Sequence, residues 1–462
     1  MKKSSTLGCV AIALASAFWA SLSEAQKTAD AEKPAAFVNR QALTGFDLER
    51  KKTGRYVVGL PLANFDPSTG IGFGARAYVY WNGEKDDKLF GYVPYEKRIF
   101  LQVFRTTKGL SFHWVDFDMP VLWEGRMRLR AQAFYARNTQ QHFFGLGDTG
   151  AGDINVTGLG SFQKFSDMDN AINRIGSNGQ TQSHYNFYDF TKPVGLASLE
   201  TSFFGGLVRL LTGVAVVHNG IDDYTGEEVD VRIDGEIERA VSDTTRLEET
   251  CQAGLLIGCD GGWDNFLRFG LVYDTRDYEP DPNSGVFVEA AVDLATSVVG
   301  SDYNYARFMV SGRGYYSPFP ELADLVLATR GTIQMHSDGA PFFTQSIFPF
   351  TEDPRTGLGG HRTLRGFRQD RFVGRATGLL NVELRYTATR FNLGSQEFGL
   401  ILIPFYDVGR AFDSPSDYSF DNWRWGAGMA VRLAWNQATL ISVDYGLSDE
   451  DSGLYINFAH MF

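Results

Sequence analysis

The residue best placed to do chemistry is an arginine. Between Gly357 and Arg385 the chain reads GLGGHRTLRGFRQDRFVGRATGLLNVELR, and at its centre Arg365 stands between Leu364 and the pair Gly366-Phe367. A guanidinium is a fixed fork of donors suited to bidentate pairing with a carboxylate, so an arginine in this setting is equipped to hold a loop in one place. Reaction chemistry has no comparable candidate. The 7 histidines are sparse, and Ser, His and Asp form no hydrolase pattern. We expect no catalytic residue and no cofactor. Cys251 and Cys259, in TCQAGLLIGCD, are expected to close a small disulfide loop in an oxidising compartment, and a metal site is not expected.

The element that must position this loop is the strand that follows it. From Leu379 to Thr387, Leu380, Val382, Leu384 and Tyr386 share one face while Asn381, Glu383, Arg385 and Thr387 share the other. In a soluble sheet the charged face would be the wet outside. Composition argues for the reverse. The chain carries 37 Phe, 20 Tyr, 8 Trp and 50 Gly, with no apolar run long enough for a membrane helix beyond its first residues. That is the balance of a transmembrane β-barrel, in which only alternate residues must be oily. A secreted sandwich or propeller is the competing fold. Tryptophan spacing favours the barrel: Trp423, Trp425, Ala427, Met429, Val431, Leu433 and Trp435 share a phase. Ten residues from Trp425 to Trp435 span about 23 Å along the normal of a strand tilted near 45°, the height of an apolar band with an aromatic girdle at each rim.

Taken in order, the chain opens with Lys2 and Lys3, an apolar run from Leu7 to Leu22 and the small-x-small site Ser23-Glu24-Ala25. This predicts a signal peptide over 1–25, a short periplasmic tail over 26–53 and a barrel over 54–462. Sixteen strands are expected if Arg55 to Leu62 is the first and Tyr185 to Phe204 is continuous; Lys192-Pro193-Val194-Gly195 could split the latter. An even number puts both ends in the periplasm, the turn Asp274 to Gly285 inside and the long loops outside. His142 to Gln182 reads as a polar, glycine-rich loop, and the acid-rich run from Asp222 to Glu249 as a solvated one. The net charge of -12 argues against nucleic acid as a partner. Phe462 ends a strand in phase with Leu454, Ile456 and Phe458, the address such barrels present to the assembly machinery of the outer membrane.

These residues carry a family resemblance, most specific from Phe269 to Phe462. Leu364-Arg365-Gly366-Phe367 resembles the V-R-G-F/Y motif of the BamA/TamA superfamily of outer-membrane insertases and translocators. Asp274-Thr275-Arg276-Asp277, closed by Gly285, resembles the family's D-T-R-D turn, and Glu383 and Asp407 resemble the acidic partners on the two strands after the motif. The resemblance implies an all-β, 16-stranded antiparallel transmembrane barrel with an extracellular loop folded inward, locked by Arg365, Gly366, Phe367, Glu383 and Asp407. It implies residence in the outer membrane of a Gram-negative bacterium, among lipid and lipopolysaccharide. The implied role is outer-membrane assembly or movement of protein or lipid, with a passive or partly plugged channel as the alternative. The sequence departs from the family in having no evident room for periplasmic POTRA domains, which leaves a place for a separate periplasmic partner. No patatin-like nucleophile motif accompanies the barrel.

Overall fold

The computed structural model describes residues 51–87, 90, 95–277, 282–319, 324–348, 357–394, 396–435 and 439–458. The expected leader, most of the tail and Phe462 lie outside the described residues. Sixteen strands close into one antiparallel barrel. In chain order they are β1 Arg55–Asp66, β2 Gly70–Trp81, β3 Lys97–Thr106, β4 Leu110–Val121, β5 Met127–His142, β6 Phe187–Phe203, β7 Val208–Asp223 and β8 Phe266–Asp274. There follow β9 Gly285–Ala295, β10 Tyr305–Tyr316, β11 Leu325–His336, β12 Ala376–Leu393, β13 Gln396–Phe412, β14 Arg424–Trp435, β15 Thr439–Leu447 and β16 Ser452–Phe458. Each strand pairs with its neighbours in sequence, and β16 returns to β1.

Alternation decides which way the wall faces. On β12, Leu380, Leu384 and Tyr386 are 44%, 38% and 43% exposed, whereas Asn381 and Glu383 are fully buried and Arg385 nearly so. The oily phase is therefore the outer surface, and the ionic phase is inside. Lumen charges are paired across strands: Arg268 and Arg307 both grip Asp293, with Arg268 Nε 2.6 Å from its carboxylate, and Arg128 holds Asp118 at 2.6 Å. A soluble sandwich would bury the leucines instead.

β6 runs unbroken through Pro193, which sits opposite Tyr135 of β5. Its tolerance has a local cause. The β6–β7 ladder steps from Val217 opposite Val194 to Gly220 opposite Thr191, while His218 and Asn219 pair with Trp263 and Gly262. The missing proline N–H falls in that gap.

Two long loops are more ordered than their polar composition suggests. Residues 143–186 form a short hairpin, Ile154–Val156 with Gly160–Phe162, and a helix, Phe165–Ile172, around buried Phe144, Met168 and Tyr185. The acid-rich run folds into the hairpin Glu228–Ile233 and Glu236–Ser242, with Val229, Val231 and Ala240 buried, before the helix Arg246–Gln252. Alternation accounts for its first strand, where Glu228 and Asp230 take the exposed phase and Val229 and Val231 the buried one. The loop between β11 and β12 does something different: it turns back into the barrel. Phe348, Leu358, Leu364, Phe367 and Phe372 from this loop are buried against Ala291, Met309, Leu379 and Ala411 of the wall.

Candidate functional site

Arg365 is fully buried at the centre of the infolded loop and meets three carboxylates from three strands. Its Nε and Nη2 donate to the two oxygens of Asp407 at 2.8 and 3.0 Å, and its backbone N–H donates to Asp407 Oδ2 at 3.2 Å. Nη1 donates to Glu383 Oε1 at 3.0 Å and to Asp444 Oδ2 at 2.9 Å. The guanidinium also lies over the Phe405 ring, 3.3 Å from its centroid. Burial alone would loosen its proton; Asp407 and then Glu383 more than reverse that, so its pKa stands above the ordinary arginine value.

Backbone contacts fix the loop as closely as charge does. Gly366 has φ 95°, and a Cβ there would stand 2.6 Å from the Leu447 carbonyl carbon. A Cβ on Gly426 of β14 would lie 1.9 Å from the Arg365 carbonyl oxygen. Only glycine at these two places lets the loop touch the wall. The Gly366 carbonyl then accepts from Ser448 Oγ at 2.7 Å, and Phe367 packs on Phe372 with ring centroids 5.1 Å apart.

Sequence reasoning named Arg365, Gly366, Phe367, Glu383 and Asp407, and the structure brings all five together. It missed Asp444, Arg432, Arg385 and Asn381. Arg432 and Arg385 brace Glu383 at 2.9 and 3.0 Å, and Asn381 Nδ2 donates to Asp407 Oδ1 at 2.8 Å. The missing signal was available in phase: on β15 Val443 and Tyr445 are exposed, so Asp444 must face inward.

A second arginine anchors the same loop to the cap. Arg371 Nε donates to Glu450 at 2.7 Å, Nη1 donates to the Gly150 carbonyl and Nη2 to that of Gly152. The loop therefore bridges the strand wall and the ordered segment 143–186.

The other named residues lie elsewhere. In the turn after β8, Arg276 folds back on Asp274 at 2.9 Å and stacks over Phe287 at 4.3 Å. Asp277 Oδ1 accepts from the N–H groups of Asn283 and Ser284 at 3.0 and 3.2 Å. Gly285 has φ 101°, with the Thr275 carbonyl where a Cβ would be. Cys251 and Cys259 are joined by a disulfide with Cα atoms 6.1 Å apart. Trp425 faces outward beside Tyr406, with ring centroids 6.3 Å apart, and Trp435 ends β14 opposite Phe398. Trp423 precedes that strand and packs on Phe420, its indole N–H donating to the Ser419 carbonyl at 2.9 Å, so it belongs to the loop above the rim.

The profile of the Omp85 superfamily domain matches residues 132–462, and that of a domain of unknown function (DUF5982) matches residues 33–96. Among solved structures, BamA from Haemophilus ducreyi lacking POTRA domains 1-3 is similar at 13% identity and a TM-score of 0.51, over 88% of this chain and 70% of that one. CdiB from Escherichia coli is similar at 12% identity and a TM-score of 0.49, over 89% of this chain and 68% of that one. At such identities the likeness is one of fold. No curated protein matches the sequence.

Proposed function

The chain belongs to the Omp85 superfamily, and from that membership we propose that it is an outer-membrane barrel whose first-to-last seam serves outer-membrane assembly or the passage of protein or lipid. The single observation that supports this reading is the seam itself. β1 registers with β2 along its whole length, but among the described residues it registers with β16 only at Phe65 opposite Ile456. Any backbone donor or acceptor that a seam leaves unpaired is ready for another strand. The Arg365 lock braces β12, β13 and β15 and so holds the wall on one side of the seam. In this reading the rim bearing the infolded loop faces outward and the chain ends face the periplasm, where a separate partner would deliver cargo.

A cavity beside the loop favours a second reading, a partly plugged channel. One experiment separates the two. Phe65→Cys with Ile456→Cys places two thiols at directly opposed positions, within disulfide reach. Cells depleted of the native protein and supplied with the stapled form should lose other outer-membrane proteins or surface lipid asymmetry, and a reductant should restore them. If the oxidised form supports cells as well as the wild type does, while conductance persists, the channel reading replaces this one.

A further inference from the structure

The inner faces of β2 to β5 depart from the ionic rule of the remaining lumen. Tyr78, Phe100, Phe104, Phe112, Trp114 and Phe134 occupy the inward phase there, opposite the exposed Leu101, Val103 and Val115. The arginines expected inward on β5 are there, Arg128 and Arg130 both on Asp118, and the rings stand on the same face beside them. This wall therefore carries a patch of rings on its lumen side, set among Arg76, Arg98 and Asp116. Leaving such rings against water forgoes about 25 cal/mol per Å² of area, so the lumen side calls for an apolar occupant. The described residues of the infolded loop do not fill the space. Between rings and loop lies a cavity of about 610 Å³, within the usual size of small-molecule sites. It reaches the seam, where Leu62 and Asn64 of β1 and Asn457 of β16 line it.

Charge narrows the class of occupant. Arg76, Arg98, Lys192 and Arg362 line the cavity against two acids, Asp116 and Asp370, in a chain whose net charge is -12. Arg98 is engaged by Asp116 at 2.7 Å. Among the described residues Arg76 donates only to the neutral Gln102, at 3.1 Å, and its buried Nε has no partner. Lys192 makes no ion pair among the described residues; its acidic neighbours, Asp264 and Asp370, act on it from beyond salt-bridge distance. Two cations that make no ion pair among the described residues, in a partly ring-walled space, favour an anion.

Ring geometry separates an acyl chain from a sugar. Phe100 meets Trp114 at 76° and Trp114 meets Phe112 at 63°, so the wall presents edges rather than a parallel face for stacking. We propose that the lumen cavity holds a single-chain amphiphile with an anionic head, its chain along the rings of β2 to β5 and its head on Arg76 and Lys192. This occupant does not depend on whether the seam opens.

The test is native mass spectrometry of the full chain released from a non-ionic detergent, titrated separately with oleate, lysophosphatidylglycerol, monoolein and inorganic phosphate. One saturating adduct is expected with an anionic amphiphile. Binding of both anionic probes would mean the head is read as charge alone; binding of one assigns carboxylate or phosphate. Arg76→Gln with Lys192→Gln should weaken that adduct about tenfold, as loss of charged hydrogen bonds does, while any monoolein adduct is unchanged. Ala136→Trp, which fills the cavity from the same wall and spares both cations, should abolish it. A heat-shifted band in SDS gels reports that each variant is folded. The proposal is overturned if adducts never saturate, if folded variants bind like the wild type, or if phosphate alone binds as tightly as the amphiphile. The stapled seam should leave the adduct intact, so loss of assembly and loss of binding are separate outcomes.

Discussion

Asp407 is the residue on which the loop lock turns. It receives three bonds from Arg365 and one from Asn381, and it is fully buried. Removing one partner of such a pair strands the other, at about 3–5 kcal/mol. Asp407→Lys adds repulsion to that loss, so the folded band should disappear from SDS gels at markedly lower temperature than in the wild type. Asp444→Asn should shift it less, because Asp444 accepts one of the five hydrogen bonds that Arg365 donates to carboxylates among the described residues. Equal melting of Asp407→Lys and wild type would reduce Arg365 to a passive filler. Arg365 was legible in the sequence because a cation amid glycines and beside an alternating strand has few uses other than docking. The inward phase of Asp444 was legible too, but its pairing with Arg365 was not, since an acid in an ordinary barrel strand looks the same whether it meets water or a guanidinium.

At the scale of the element, the infolded loop carries its own pH dependence. Asp370 lies on this loop, outside all sixteen strands, and its carboxylate accepts from Gln141 at 2.7 Å in a nearly closed space. Burial pushes its pKa up to about 6, with Gln141 and Gln369 only partly offsetting it. The folded value therefore exceeds the unfolded one. Docking takes up a proton, so the loop is most stable below about pH 4 with respect to this group and loses stability as pH rises toward about 6. The loss amounts to roughly 3 kcal/mol by the usual conversion. Asp370→Asn should protect the loop against protease at pH 7.5 and flatten the pH profile. A profile that stays steep in that variant would assign the dependence to another group. The loop's descent into the barrel was legible from Gly359, Gly360 and Gly366 around Arg365. The cap that meets it through Arg371 was not, because residues 143–186 build their small core from isolated aromatics without a strand or helix period long enough to read.

On the scale of the whole molecule, the barrel divides into a half pinned by the loop and a half that faces a cavity. β12, β13 and β15 are bound to each other through Arg365, whereas β1 to β5 face a cavity and β1 ends at a seam registered at one described position. Closure of a sheet removes its edges only where the last ladder is made. Strand number and oily-out alternation were readable from sequence, since every strand repeats the same phase. The seam was not, because pairing of first with last depends on the register accumulated around the whole ring. Amide exchange in nanodiscs should separate the halves: β1 and β16 are expected to exchange by local opening well before β12 and β13, and the seam staple should slow them while leaving β12 untouched. Protection of β1 equal to that of β12 without the staple would mean a ring as firmly shut at its seam as anywhere else, and the seam could no longer account for passage through the wall.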